Sequence, residues 1–145
     1  ASTASFEAKY YYFYWRPETA ISLGDTDGNP LTTGDATWLP GNMETPPAGI
    51  YTPPLPEYPS LHAGYGGAAG TILLRFFESD NIAVSQTSTS LPGIVRNYTS
   101  IKKAMRDNCM SRVYVGYHFR KGVMEGEKQG VNLGHYVFEN SFKEK

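Results

Sequence analysis

The sequence predicts an all-α fold, a helical bundle with one long loop rich in proline and glycine. Apolar residues recur at three- and four-residue intervals within residues 60–80 and 96–119, which is the period of an amphipathic helix. Nine of the ten prolines fall between positions 17 and 59, and such clusters mark loops. A length of 145 residues is typical of one domain, so we assign residues 1–145 to a single domain.

The first helix is predicted within residues 5–17, ending at Trp15 or Arg16, because the residue before a proline disfavours helical geometry. Six aromatic residues occupy positions 10–15, so a buried strand is the alternative. A helix places Lys9 and Arg16 on nearly the same face, about two turns apart. The aromatic stretch between them favours burial, and buried cations need a partner.

Residues 22–59 are predicted to form a long loop with little regular structure. A loop of this length in a compact domain usually has a function or wraps a larger body. Its proline-rich end, residues 53–59, is alternatively a polyproline ligand for a partner domain. A helix follows without any linker, which favours the first interpretation.

The second predicted helix covers residues 60–80 and combines an apolar face with a seam of small residues. The apolar face comprises Tyr65, Ala68, Ala69, Ile72, Leu73, Phe76 and Phe77. The seam comprises Ala63, Gly66 or Gly67, and Gly70. Glycine costs a helix roughly 1 kcal/mol relative to alanine, so the seam predicts close packing against another backbone.

The rest of the chain is predicted as a connector at 81–93, a third helix at 96–119 and a last helix at 125–142. One side of the third helix carries Ile101, Ala104, Met105, and Asn108 or Cys109. Gly130 and Gly134 are expected to weaken the last helix.

Composition restricts the partners. The 13 Lys and Arg residues against 14 Asp and Glu give a formal net charge of −1, which argues against binding to nucleic acid or an anionic membrane surface. An anion site must therefore be built locally. The apolar runs are too short to span a bilayer. No signal peptide is visible, as if the chain were already processed, and a single cysteine permits no internal disulfide. The sequon at residues 97–99 favours secretion, with the compartment left open.

Two histidines stand beside groups that can bind an anion. Ser60 has the position of an N-cap, and His62 follows in the first turn, where free backbone N–H groups attract anions. A capping serine alone is the simpler interpretation. Arg112 and His118 would lie about 120° apart on an ideal helix, so they converge only if the helix bends or ends near Gly116. Otherwise they are a surface ion-pair residue and a core histidine.

Three motifs occur in order: K-x6-R-P at Lys9 to Pro17, P-S-x-H at Pro59 to His62, and S-R-x5-H at Ser111 to His118. This set resembles the vanadium-dependent haloperoxidases and the type 2 acid phosphatases, which share one oxyanion site. The surrounding stretches and the long loop are similar to the haloperoxidase branch. The resemblance covers nearly the whole chain and implies the C-terminal, site-bearing part of a larger helical bundle, with N-terminal helices missing.

The resemblance also implies roles for the site residues. His118 would ligate the vanadium of vanadate, while Lys9, Arg16, Arg112, Ser60 and the Leu61 N–H would bind the oxygens; phosphate can occupy the same site. His62 would be the acid/base group, and Lys9 would polarise bound hydrogen peroxide. The substrates would be hydrogen peroxide and a halide or small organic molecule. The remaining N-terminal part of the protein, or a second copy, would be a partner.

Two positions depart from the family pattern. Leu61 replaces a glycine and would be strained if the backbone required a positive φ. Gly122 replaces an aspartate that orients the nucleophilic histidine in the phosphatases, and Glu125 could substitute only if the chain curled back. A phosphohydrolase acting through a phosphohistidine, and a non-catalytic oxyanion-binding protein, are therefore the alternatives to a haloperoxidase. Trp15 and Leu55 are neighbours of a halide path in the haloperoxidase interpretation.

Overall fold

The computed structural model describes residues 1–41, 52–89 and 91–141. The described residues form five α-helices and one β-hairpin, so the predicted helical bundle is confirmed, with the hairpin as an addition to the all-α expectation. In chain order the elements are α1 (Ser2–Tyr12), α2 (Pro17–Ser22), a 3-10 turn (Gly24–Thr26), α3 (Leu61–Phe77), β1 (Val84–Ser88), β2 (Leu91–Tyr98), α4 (Ile101–Tyr114) and α5 (Arg120–Asn140). Helix α3 packs against both α4 and α5. Ala63, Cys109 and Val123 form the buried centre, one residue from each of these helices.

The first helix ends earlier than the sequence predicts. Phe13 adopts the left-handed conformation, with φ 48°, and its N–H donates to the Lys9 carbonyl at 2.9 Å, which closes α1. Pro17 then starts α2, and Arg16 has extended backbone geometry before it. Lys9 and Arg16 therefore do not share one helix, and the alternative of a strand is also wrong.

The aromatic stretch after Lys9 is exposed rather than buried. Tyr11 is 81% exposed and Phe13 73%, whereas Lys9 is 1% exposed and Arg16 7%. The predicted burial of the two cations is therefore confirmed, although the aromatic residues do not cause it. Other segments cover the cations.

The apolar face predicted for α3 is largely solvent-exposed, with Phe76 at 70% and Phe77 at 52% exposure. The buried side consists of the small residues Ala63, Gly64, Gly67, Gly70 and Thr71. The small-residue seam, and not the large apolar side chains, decides how α3 packs.

Helix α5 begins at Arg120, five residues before the predicted start, and carries a glycine at every fourth position on its buried side, of which the first faces Glu57 and the other three face α3 and its N-cap. These glycines are Gly122, Gly126, Gly130 and Gly134, all buried. A Cβ added at Gly130 would collide with the carbonyl oxygen of Gly64, and one at Gly126 with that of Ser60. The glycines expected to weaken this helix are the residues that let it approach α3.

The predicted connector at 81–93 folds instead as the start of an antiparallel hairpin in which Val84 pairs with Tyr98. Most hairpin residues are exposed, so neither strand has a buried face that would produce an alternation of apolar and polar residues in the sequence. Helix α4 consequently begins at Ile101 rather than residue 96. The Ser100 hydroxyl caps it by accepting from Lys103 N at 3.1 Å.

The predicted long loop at residues 22–59 begins at the last residue of α2 and contains the 3-10 turn in its first part, so this part is more regular than expected. Its central residues, 42–51, lie outside the described residues. Within the described part of the chain, none of the helices has the length and apolar character that a membrane span requires.

Candidate oxyanion site

The two cations of the first motif reach the proline-rich segment at residues 55–57. Lys9 Nζ donates to the carbonyl oxygens of Pro56 at 2.8 Å and Glu57 at 3.0 Å. Arg16 Nε donates to Leu55 O at 2.9 Å. Three donors thus hold three successive carbonyl groups, which packs this segment against the motif rather than leaving it free as a polyproline ligand.

Arg16 also connects the first motif to the third, because its Nη1 donates to the Tyr117 carbonyl at 2.9 Å. An ammonium group has three N–H donors and a guanidinium has five. Among the described residues, Lys9 donates two of its three N–H groups to the backbone, and Arg16 donates two of its five. Counted over these contacts, both residues keep N–H donors that can bind an anion.

Ser60 and His62 lie at the start of α3. Ser60 is fully buried as the N-cap, but its hydroxyl accepts from Ala63 N at a long 3.5 Å, so the capping bond is weak. Its own N–H donates to Gly122 O at 2.9 Å, which ties this turn to α5. His62 is partly exposed in the first turn of α3. The N–H groups of such a turn lack partners within the helix.

Leu61 is the first residue of α3 and carries no backbone strain. Among the described non-glycine residues, positive φ values occur at Phe13 and Glu78. The strain considered for a leucine in place of glycine is therefore not present, and the Leu61 side chain is half-buried.

Arg112 and His118 are brought together because α4 ends between them. The helix stops at Tyr114, and Gly116 takes a φ of 80°. The N–H groups of Tyr117 and His118 then both donate to the Arg112 carbonyl, at 3.1 and 3.3 Å. This is the turn near Gly116 that the sequence requires for the two residues to converge.

Glu57 contacts His118 directly, a relation that the sequence did not predict. Its Oε1 lies 2.8 Å from His118 Nδ1 and also accepts from Phe119 N at 3.1 Å. The two side chains are 1% and 4% exposed. Burial lowers the pKa of His118, which the hydrogen bond to Glu57 partly opposes and the charge of Arg16 reinforces, so the ring is neutral at neutral pH.

The positive charges act on one another across the site. Burial, with the charge of Arg16, lowers the pKa of Lys9 to about 8, although Glu57 opposes the shift. The pKa of His62 is lowered by partial burial and then by the charges of Arg112, Lys9 and Arg16. Electrostatic interactions thus connect the three motifs: Lys9, Arg16 and Arg112 act on His62, and the carboxylates of Glu57 and Glu18 act on Arg16.

Arg112 provides the clearest sign of a missing partner. Its Nε is the buried side-chain polar atom without a hydrogen-bond acceptor among the described residues. Its guanidinium lies 5.0 Å from the centre of the Tyr117 ring, and burial lowers its pKa. Buried N–H groups are normally satisfied, so an anion fits this place chemically.

The donor set suits an oxyanion rather than a bare metal cation. Among the described residues, no group of three or more His, Cys, Asp or Glu side chains could hold a metal ion. Vanadate or phosphate would instead meet cationic and backbone donors, with one histidine available as a ligand. Beside the site, Trp15, Arg16 and Leu55 line part of a cavity of about 500 Å³.

Residues 1–143 match the family model described as the VCPO second helical-bundle domain. The chain therefore belongs to the vanadium haloperoxidase family. It is 30% identical to the vanadium chloroperoxidase of Curvularia inaequalis in an alignment of 158 positions that covers 83% of this chain and 25% of that protein.

Solved structures agree with this assignment. The first bacterial vanadium-dependent iodoperoxidase superposes with a TM-score of 0.71 at 32% identity, over 92% of this chain and 28% of that one. The holo form of a bacterial vanadium-dependent chloroperoxidase has the same fold, with a TM-score of 0.71 at 23% identity, over 94% and 32%. The chain thus spans about a quarter to a third of the length of these relatives.

Proposed function

We propose that this chain carries the vanadate site of a haloperoxidase that oxidises halide with hydrogen peroxide. The observation that carries the proposal is the buried Arg112 Nε, which has no hydrogen-bond acceptor among the described residues. Vanadate, when bound, supplies the centre at which peroxide is activated for halide oxidation. The family assignment and the vanadium-dependent relatives support this choice of cofactor.

In this proposal His118 would be the vanadium ligand, and the cationic and neutral donors would bind the vanadate oxygens. His118 would ligate vanadium through Nε2, because Nδ1 faces Glu57. Lys9, Arg16 and Arg112 would neutralise the oxygens, with Ser60 Oγ and the Leu61 N–H as further donors. Such donors are held in place before an anion arrives, so they pay little reorganisation cost on binding.

His62 would exchange the protons of the reaction. Partial burial, and then the positive charges around it, lower the pKa of His62, so the imidazole is a neutral base at neutral pH and can accept a proton from peroxide. Lys9 would orient bound peroxide as a hydrogen-bond donor. The cavity lined by Trp15, Arg16 and Leu55 offers a halide or small organic substrate a path to Arg16.

A phosphohydrolase is the second candidate, and one observation favours it. Glu57 contacts His118 Nδ1 in the way that a carboxylate supports a nucleophilic histidine. The loss of an aspartate at position 122 therefore does not exclude a phosphohistidine mechanism.

The two functions are separated by a halogenation assay. We expect the chain to brominate a phenol-red-type dye with bromide and hydrogen peroxide only after vanadate is added, and we expect phosphate to inhibit by competition. Phosphomonoester hydrolysis without bromination would favour the phosphohydrolase. Failure to bind either anion in calorimetry would contradict both functions.

Oxyanion affinity is expected to fall as the pH rises through about 8. Lys9 is charged below this pH and loses its proton above it, and a bound anion favours the charged form. Phosphate titrations by calorimetry from pH 6.5 to 9.5 measure the effect. Lys9→Gln is the control: it should bind more weakly at pH 7 and lose this component of the pH dependence. A parallel decline in both proteins would assign the effect to the anion instead.

A further inference from the structure

Glu57 is fixed in position from both sides of its backbone. Its N–H donates to Tyr14 O at 2.8 Å, and its carbonyl oxygen accepts from Lys9 Nζ at 3.0 Å. The side chain is 1% exposed. The segment that contacts the first motif therefore also determines where this carboxylate lies.

The carboxylate contacts the last residue of the third motif and the residue that follows it. Oε1 lies 2.8 Å from His118 Nδ1 and 3.1 Å from Phe119 N. A carboxylate is an acceptor only, so its contact requires the proton on Nδ1 and leaves Nε2 of the neutral ring with its lone pair. Nε2 is then the nitrogen that can act as a ligand.

Glu57 does not neutralise the nearby cations by direct pairing. Among the described residues, its ion pair within 4.0 Å is with His118, and neither Lys9 nor Arg16 forms one. A carboxylate whose purpose was to stabilise buried cations would contact them. The geometry instead directs it to the imidazole.

Gly122 leaves the space that this carboxylate occupies. A Cβ added at Gly122 would collide with Glu57 Oε1 and would lie 2.6 Å from Oε2 and 2.7 Å from Cδ. Any larger residue at position 122 would displace Glu57. The glycine and the glutamate, 65 positions apart in the chain, are complementary in shape.

From this geometry we infer that Glu57 is the positioning residue of His118: it keeps the proton on Nδ1 and presents Nε2 to the oxyanion, in the space left by Gly122. The position that an aspartate would fill on α5 is thus served by a carboxylate from the proline-rich segment. The role toward an oxyanion rests on the proposed function, whereas the tautomer does not.

The tautomer is tested by nitrogen-15 NMR of histidine-labelled protein at neutral pH without added anion. The chain has three histidines, and the His118 signals are those lost in His118→Asn. We expect a protonated Nδ1 and a bare Nε2. Glu57→Met fills a similar volume without a strong acceptor, and it should shift His118 toward the Nε2-protonated form. A tautomer unchanged in Glu57→Met would overturn the inference.

Binding supplies the second readout. Removing a group that orients a metal ligand typically costs 10–100-fold in affinity, and we expect a loss of that order for vanadate in Glu57→Met. The double variant Glu57→Ala/Gly122→Asp returns a carboxylate to the same space from α5 and should recover the Nδ1-protonated form and most of the affinity. A folded double variant with the tautomer and the vanadate affinity of Glu57→Met would contradict the inference. If Glu57→Met does not fold, the double variant alone decides the test.

The two failures are distinguishable. If the unsubstituted chain bound neither vanadate nor phosphate, the proposed function would be wrong, while the NMR result would still decide whether Glu57 sets the tautomer. If it bound vanadate and Glu57→Met bound equally well with an unchanged tautomer, the inference alone would be wrong.

Discussion

Replacing His118 with alanine is expected to abolish measurable vanadate binding. The substitution removes the one ring nitrogen proposed as a ligand, while Lys9, Arg16 and Arg112 keep their charges. Groups that merely orient a metal ligand are worth 10–100-fold in affinity, so loss of the ligand should cost roughly 100-fold or more. Calorimetry with vanadate measures the loss, and bromination of the dye should disappear with it.

A matched variant separates ligand loss from structural damage. His118→Ala leaves the buried carboxylate of Glu57 without its partner, which destabilises the fold by itself. His118→Asn keeps an amide N–H near the position of Nδ1, so it can still donate to Glu57, but it has no nitrogen in place of Nε2. We expect this variant to unfold at nearly the original temperature and to have lost vanadate binding. Retained affinity in a folded His118→Asn would refute the assignment of the ligand.

The affinity for phosphate should fall less than the affinity for vanadate in both His118→Ala and His118→Asn. It makes no bond from phosphorus to histidine on simple binding, so the cationic donors carry its affinity. A large loss for vanadate together with a small loss for phosphate would identify His118 as a ligand. Equal losses would indicate that the substitution disturbed the whole site.

The burial of Lys9 and Arg16 shows how a correct prediction can rest on a wrong cause. The run of aromatic residues between them favoured a buried helix, but Phe13 ends α1 and most of that run faces solvent. The cations are covered by carbonyl groups of residues 55–57, far away in the sequence. Local patterning detects neither that segment nor its hydrogen bonds.

The local geometry of the second and third motifs could be predicted from the sequence, because it depends on residues only a few positions apart. The turn at Gly116 joins Arg112 to His118 within seven residues, and the Ser60 cap is set by the residues that follow it. Glu57 was missed because its partner lies 61 residues away. The available signal was a glycine at position 122, where the family has an aspartate, together with a glutamate three positions before Ser60.

The glycines of α5 were misjudged for a related reason. Helix propensity treats Gly130 and Gly134 as weak points, because each costs backbone entropy in isolation. Tertiary contact reverses the effect of glycine on stability. Glycine at every fourth position forms a flat strip that lets the backbones of α3 and α5 pack against each other. The same strip contains Gly122 and Gly126, so the packing of these helices also places Ser60 and Glu57.

Gly130→Ala is therefore expected to destabilise the chain, although the same change in an isolated helix would stabilise it by about 1 kcal/mol. The added Cβ would collide with the backbone carbonyl of Gly64, which cannot rotate away as a side chain could. Overpacking of this kind costs typically 1–3 kcal/mol, so we expect a net loss of about 2 kcal/mol in the free energy of unfolding. Urea denaturation followed by circular dichroism measures it. Lys128→Ala, exposed on the same helix, is the control and should stay within about 0.5 kcal/mol of the original. An increase in stability for Gly130→Ala would show that α3 and α5 do not pack through this strip.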